Sequence, residues 1–417
     1  VVHVVHREGL GPVFEAMVLE PIAGLLTQGC PVQLCCFTPL GQLIRPAVRR
    51  AWFARLSAAE RKVGRVRILP SPPSRARSLW NEARILDRRI RRDPGADSPL
   101  ILHCRGPHAT SLGLAVRSGR PRTAVVFDMR GIAHAEYLYE QARTEGRSRA
   151  TEREAAAQQL LAMEAGAARA ADALFCVSKA MADHVVAAYG VDRAKIRVTP
   201  CCVRLGDTSG RRSAIRRRLG MEGRFVVAFC GSSHLWQLPR ESGAMFLAIK
   251  ALDPSAHYLV LTPGAARMRD LLARLGIPPG DLTVLSAAHD DVPGYLEAAD
   301  LGLLLRERSL VNQVASPVKF AEYMASGVPV VISDGIGDYT GLVRERGAGV
   351  VVDGVADSPA NSATLSEFLS GYRSDPGAMR RRCRAVAEQV LPIDRVLDEW
   401  QALYRTLAAD LHDPFRH

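Results

Sequence analysis

Short apolar runs recur along this 417-residue chain, separated by longer stretches in which apolar positions return every three or four residues. Runs of that length, rich in Val, Ile, Leu and Cys, read as buried strands, and the stretches between them read as amphipathic helices. In the first half, strands are predicted at 1–5, 32–37, 65–69, 100–104, 124–128 and 173–177, with helices that include 13–29, 73–92 and 152–171. A second series begins with the strand at 224–231 and continues at 258–262, 282–285, 301–305, 329–332 and 350–352, again with helices between. Strand–helix alternation of this kind predicts α/β architecture with parallel sheets. The run Leu205-Gly206-Asp207-Thr208-Ser209-Gly210 breaks the periodicity, which places a linker around 201–215. Two domains follow, 1–205 and 215–392, as the length also suggests. A last helix near 393–410 carries Leu397, Trp400, Leu403, Tyr404 and Leu407 at helical spacing. That stripe fits packing on its own domain or a return of segment 393–417 to the first.

The most informative segment runs from Ser316 to Val331. It reads as a short helix, opened by Pro317 and stopped by Gly327, that leads directly into a buried strand. Lys319 and Glu322 are three residues apart and share one helix face. Both lie in the first turn, where backbone N–H groups and the helix dipole favour an anion. A lysine there can neutralise phosphate, and a glutamate one turn on can accept hydrogen bonds from ribose hydroxyls. Together they describe a nucleoside diphosphate site.

This segment resembles the nucleotide-sugar signature of glycosyltransferase family 4 (group 1), and the resemblance is good over 220–350 and looser elsewhere. It implies the GT-B fold: two Rossmann-like domains with parallel sheets flanked by helices and a central cleft. It further implies a glycosyltransferase that moves a sugar from a UDP- or GDP-sugar to an acceptor hydroxyl, in polysaccharide, glycolipid or secondary-metabolite synthesis, with no cofactor. The chain has no Asp-x-Asp ligand motif, and the fold it resembles needs no metal. On the donor side the implied residues are Lys319 on the diphosphate, Glu322 on the ribose, and Gly231 and Ser232 donating to phosphate after the first strand of the second domain. Two positions depart from the family pattern. The basic pair that often follows that strand is missing, the first basic residue being Arg240. The glutamate expected eight residues before Glu322 is Val314, which leaves Arg306 and Asn312 as the nearest polar substitutes and the stereochemical outcome open. The loop from His289 to Leu296 resembles the one that holds the base through main-chain groups. Ser333-Asp334-Gly335-Ile336-Gly337-Asp338 reads as a turn at the same strand ends.

In the first domain, Arg7-Glu8-Gly9-Leu10-Gly11 follows the opening strand, and Gly9 and Gly11 resemble the family's glycine loop beside the acceptor. Two further strand ends finish in charged residues and a glycine, His103-Cys104-Arg105-Gly106 and Asp128-Met129-Arg130-Gly131. In open α/β sheets such ends line the ligand crevice. His103 or Asp128 is a candidate base for the acceptor hydroxyl, and Arg105 and Arg130 are candidates to hold an acidic acceptor or the leaving diphosphate. His134 and Glu136 lie in the same loop as reserves.

Charge is distributed unevenly. Residues 1–205 hold 31 Lys/Arg against 18 Asp/Glu, whereas the remainder is nearly balanced at 24 against 25. Within 45–92 there are 15 basic and 3 acidic residues, interleaved with Trp52, Phe53, Leu79 and Trp80. Such a stretch suits an anionic membrane surface or a lipid-linked acceptor, and equally an ordinary solvated arginine face. Nucleic acid is disfavoured, since no nucleic-acid module accompanies the charge. The nine cysteines show no CxxC spacing and fit buried, reduced thiols in a cytoplasmic protein, which the basic stretch 45–92 would place at the inner face of the membrane. No signal-peptide pattern is present, and the opening Val1-Val2 without methionine suggests that a short segment precedes it. Two other functions remain open at this level: a sugar-nucleotide epimerase of the same fold, and a non-catalytic nucleotide-binding protein at a membrane.

Overall fold

The computed structural model describes residues 1–44, 46–72, 79–93, 98–144, 150–206, 210–232, 235–354 and 359–412. Most of the basic run at 71–77, residues 207–209 of the linker and the last five residues of segment 393–417 lie outside these. The chain forms two units, Val1–Pro200 with Ile393–His417, and Cys201–Pro392.

The first unit holds a seven-stranded parallel sheet. Its strands are β1 (Val2–His6), β2 (Gln33–Pro39), β3 (Val66–Ser71), β4 (Leu100–Arg105), β5 (Thr123–Met129), β6 (Ala173–Cys176) and β7 (Ile196–Val198), in the order β3-β2-β1-β4-β5-β6-β7. Every predicted strand is present to within two residues at each end. Only β7 was not anticipated, because three residues carry too little pattern to read. The order reverses between β1 and β4, so the carboxyl ends of these strands flank a topological switch point. The predicted helix 13–29 is broken into a short turn, a π-helical stretch Glu15–Leu19 and a helix Glu20–Thr27. Pro21 supplies the reason: it has no N–H to donate, and the wider turn ahead of it, closed by Glu20 N–H on the Glu15 carbonyl, absorbs the missing bond.

Side chains alternate across the strands. Val2, Val4, Leu102 and Cys104 pack against Leu86, Leu112 and Val116 on one face. His3 and His103, opposite each other in the β1–β4 register, point to the other face. There the terminal helix Ile393–His412 covers them. Trp400, fully buried, lies 4.5 Å from the His103 ring and 5.6 Å from Phe175 by centroid. The stripe read from the sequence, Leu397, Trp400, Leu403, Tyr404 and Leu407, is the buried face of this helix, and it packs on the first unit.

The second unit holds a six-stranded parallel sheet of β8 (Phe225–Cys230), β9 (Ala256–Leu261), β10 (Leu282–Leu285), β11 (Leu301–Leu304), β12 (Val330–Ser333) and β13 (Gly349–Val352), ordered β10-β9-β8-β11-β12-β13. Its switch point lies between β8 and β11. Helix Val318–Ala325 connects β11 to β12 and is anchored by Tyr323. The Tyr323 hydroxyl accepts from the Cys230 N–H at 3.0 Å and donates to the Ala228 carbonyl at 3.2 Å, while its ring lies over Gly302 of β11, where a Cβ would come within 2.7 Å. Gly327 ends the helix at φ +67°, the left-handed conformation expected of it, and Val328 N–H closes onto the Tyr323 carbonyl at 2.9 Å.

Trp400→Ala should destabilise the first unit by about 3–5 kcal/mol, the usual cost of emptying a buried tryptophan site. Chemical denaturation monitored by circular dichroism would measure it. A loss below about 1 kcal/mol would mean that the terminal helix is not integral to this core.

Candidate functional site

Each unit gathers its candidate residues at the carboxyl ends of its strands. In the second unit Lys319 occupies the second position of helix Val318–Ala325, with Pro317 as N-cap rather than first helical residue. Its Nζ donates to Glu322 Oε2 at 2.8 Å. Glu322 is buried, and the Lys319 side chain keeps 22% exposure. Burial alone would lower the lysine's proton affinity, but the Glu322 carboxylate outweighs it and raises the pKa, so the ammonium is charged. The Cys230 thiol at the end of β8 also lies beside it and, through burial, is pushed up to about 11. Without ligand, therefore, the two signature residues satisfy each other. Binding a diphosphate and a ribose would exchange one ion pair for two sets of ligand contacts.

The other donor-side expectations need revision. The N–H of Gly231 donates to the Leu261 carbonyl at 3.0 Å and is already used. A Cβ there would sit tightly, 3.0 Å from the Gln237 amide oxygen and 3.2 Å from the Phe229 ring. Ser232, half-buried, is the nearer candidate, and Ser233 and His234 lie outside the described residues. Arg306, expected to substitute for the missing glutamate, is buried, with Nη2 donating to Gln237 Oε1 at 2.8 Å and Nη1 to the Leu305 carbonyl. It braces the loop after β8 rather than projecting from it. Asn312 donates to the Glu307 carbonyl and accepts, at its own backbone carbonyl, from Gly337 N–H, while Val314 is buried. The Asp334-to-Asp338 turn thus packs on residues 312–315 as structure.

In the first unit one largely buried network links Arg105, Asp128, Arg130 and His103 to the terminal helix and, through Arg105, to the exposed Glu8. Glu8 accepts both bonds from Arg105 Nε, at 2.8 and 2.9 Å, and Arg105 Nη1 lies 3.5 Å from Asp128. Arg130 Nε meets Asp128 Oδ1 at 2.8 Å, and Arg130 sits over the Trp400 ring. His103 Nε2 is 3.5 Å from Asp128, its Nδ1 is 2.5 Å from the Tyr404 hydroxyl, and its ring stacks on His3 at 4.2 Å. This corrects the expected roles. Burial would raise the Asp128 pKa, but Arg130, His103 and Arg105 together hold it well below the carboxylate range, so it has little affinity for a proton. His103 is fully enclosed, and burial lowers its pKa. Neither residue suits the task of taking a proton from an acceptor hydroxyl, and Arg105 is committed to Glu8. The network holds the loop after β1 to β4 and β5.

Gly9 and Gly11 remain open. A Cβ at either would meet nothing within 4 Å, and neither has positive φ, so the fold itself does not demand glycine there. Sequence reasoning missed the strain beside them: Arg7 is at φ +59°, and Leu238, in the corresponding loop after β8, is at φ +47°. Non-glycine residues in this region cost free energy and concentrate at functional loops. No sequence signal marks them.

Glu136 is half-buried in the helix after β5, where desolvation and then the neighbouring Glu164 push its pKa up to about 7. His134 is tied to Glu164 at 3.1 Å. Among the described residues one trio has metal-ligand proximity, His3, His103 and Asp128. The two imidazoles are stacked rather than convergent, and Arg105 and Arg130 face the same carboxylate, so the trio is poorly suited to a cation.

Comparison with known proteins bears on the fold that carries these residues. Residues 15–206 match the family model Glycosyltransferase Family 4. No curated protein matches the sequence. Among solved structures, HepE of Anabaena in complex with UDP superposes with a TM-score of 0.68 at 14% identity, over 97% of this chain and 99% of that one. The same protein with UDP-glucose gives 0.67 at 13% identity over the same shares. The chain has the GT-B fold of these structures. A glycosyltransferase from Rickettsia africae (TM-score 0.64, 12% identity, 97% of this chain and 98% of that one) has the same GT-B fold. So does WaaG, a glycosyltransferase involved in lipopolysaccharide biosynthesis (0.61, 13%, 97% and 99%). At these identities the likeness establishes the fold. The family model falls on the first half of the chain, whereas the signature was read in the second half.

The His3–His103 pair makes a pH prediction. Burial depresses both imidazoles below their ordinary value of 6.5, so the folded protein keeps them neutral while the unfolded chain takes up protons first. Their contribution to stability is therefore complete above about pH 6.5 and is lost as pH falls, by up to ~1.4 kcal/mol per pH unit per imidazole. His3→Phe should lose about 1 kcal/mol less than wild type between pH 6.5 and 5.5 in urea titrations. Parallel curves would show that His3 protonates without penalty.

Proposed function

We propose that this protein is a glycosyltransferase that moves a sugar from a uridine-diphosphate sugar to an acceptor hydroxyl. The observation that carries the reading is the Lys319–Glu322 pair at the start of a helix packed at the switch point of the second sheet. Lys319 and the helix N-terminus supply positive charge where the diphosphate leaves, which is electrostatic stabilisation of the developing anion. Glu322, released from the lysine, accepts from the ribose hydroxyls. This scheme draws its charge from the protein and calls on no metal. The choice of uridine rests on the UDP and UDP-glucose complexes of the similar HepE.

The first unit supplies the acceptor side, with the Gly9–Gly11 loop open to close approach. No described helix is long and apolar enough to cross a membrane. Ile44, Val48, Phe53 and Trp80 are nonetheless exposed, at 73%, 43%, 49% and 61%, beside exposed Arg49, Arg50 and Arg55. That combination supports peripheral association with an anionic membrane at its cytoplasmic face. A second reading, nucleotide binding without transfer, is favoured by buried Val314 and by the committed Arg306.

Thermal melting with UDP tests the site. At about 100 times Kd a native-state ligand adds about 2.7 kcal/mol and raises Tm. UDP should stabilise wild type, and Lys319→Ala should lose the shift. No shift in the folded wild type would overturn the donor site. A shift without release of UDP from UDP-glucose, across an acceptor panel, would favour the second reading.

A further inference from the structure

A cavity of about 270 Å³ lies within the first unit, lined by Leu79, Glu82, His108, Ser111, Leu112 and Met163. It is slightly smaller than the ~300–1,000 Å³ typical of small-molecule pockets, a size suited to a single chain rather than a bulky ligand. Three features give it a function. The first is position. Leu79 and Glu82 open the helix that follows β3, and His108 and Ser111 lie in the first two turns of the helix that follows β4. His6, the last residue of β1, stacks on His108 at 5.4 Å between ring centroids. The cavity is therefore at the carboxyl edge of the sheet, next to the strands that carry the Gly9–Gly11 loop and Arg105.

The second feature is chemistry. Two polar side chains of the wall are bonded to groups outside it, and the third, His108, is stacked on His6. Glu82 accepts from the Ser71 hydroxyl at 2.7 Å and faces His6 Nε2 at 3.4 Å, and Ser111 donates to the Pro107 carbonyl at 2.9 Å. With these bonds made inside the fold, Leu79, Leu112 and Met163 define what the space can bind. The third feature is the surroundings. Leu79 in the wall is 40% exposed, its neighbour Trp80 is 61% exposed, and Arg84 and Arg88 of the same helix are exposed too. An apolar pocket beside exposed apolar and basic side chains fits an amphiphile, whose chain gains by burial while its head stays at the polar strand ends.

We propose that this pocket takes the alkyl chain of the acceptor, which makes the acceptor an amphiphile whose hydroxyl-bearing head lies at the carboxyl ends of β1 and β4. The proposal deepens the glycosyltransferase reading and rests on it for the word acceptor, but the pocket's occupancy can be measured without any transfer.

The probe is octyl β-D-glucoside below its critical micelle concentration, titrated into the full chain by isothermal calorimetry. Wild type should bind it saturably, and glucose alone should not bind. Ser111→Trp and Met163→Trp, which fill the cavity from two different helices, should each weaken binding at least tenfold while keeping the native melting transition. Lys319→Ala, in the other unit, should leave it unchanged. Presenting dodecyl β-D-glucoside in phosphatidylcholine vesicles separates the sources: uptake from vesicles that Ser111→Trp abolishes supports the pocket with a membrane-borne chain, and uptake from solution alone supports it with a free one. Absence of saturable binding to wild type, or full affinity in both tryptophan variants, overturns the proposal. The UDP melting shift reports on the donor reading separately, so either idea can fail without the other.

Discussion

A parallel sheet covered by helices on both faces has no room for polar chemistry except at its ends. That constraint organises both units. The strand interiors are mainly Val, Leu, Ile, Phe and Cys, with the stacked His3–His103 pair as an exception, and the nine thiols are free, most of them within this apolar packing. Charged and flexible residues collect where the strands stop: Glu8, Arg105, Asp128 and Arg130 in one sheet, and Arg306, Lys319 and Glu322 in the other. Reversal of strand order between β1 and β4, and again between β8 and β11, separates the flanking loops and leaves space there.

The two charge clusters at these ends differ in kind. Asp128 is surrounded by two guanidiniums and an imidazole, which together outweigh its burial and hold it ionised. A buried carboxylate so placed is costly to disturb, since removing one partner strands the others without solvent. It suits a fixed scaffold that ties the first loop to β4, β5 and the terminal helix. Lys319 and Glu322 form a single pair with the lysine partly exposed. One pair at a rim can be exchanged for ligand contacts at modest cost, which is the behaviour a binding site requires.

Much of this was legible in the sequence. Strand and helix periodicity placed twelve of the thirteen strands among the described residues, the helix Val318–Ala325 and its glycine stop, and the stripe on the terminal helix. Those features are set by local rules: spacing of apolar residues, the freedom of glycine at positive φ, the missing N–H of proline. The roles of His103, Asp128, Gly231 and Arg306 were not legible, because each depends on partners far away in the chain. His103 meets Tyr404 across 301 residues, and Arg306 meets Gln237 across 69. A histidine or arginine at a strand end looks the same in sequence whether its side chain faces a ligand or a distant helix.

What the sequence determined by itself was therefore the alternation of elements, the two-sheet architecture and the Lys319–Glu322 face, all of which rest on residues within a turn or two of one another. Tertiary structure alone decided which polar residues are already satisfied, that the terminal helix closes over the histidine pair of the first sheet, and that an apolar pocket opens beside His108. These are outcomes of long-range packing, where a side chain's protonation and availability follow from the groups that solvent exclusion brings against it.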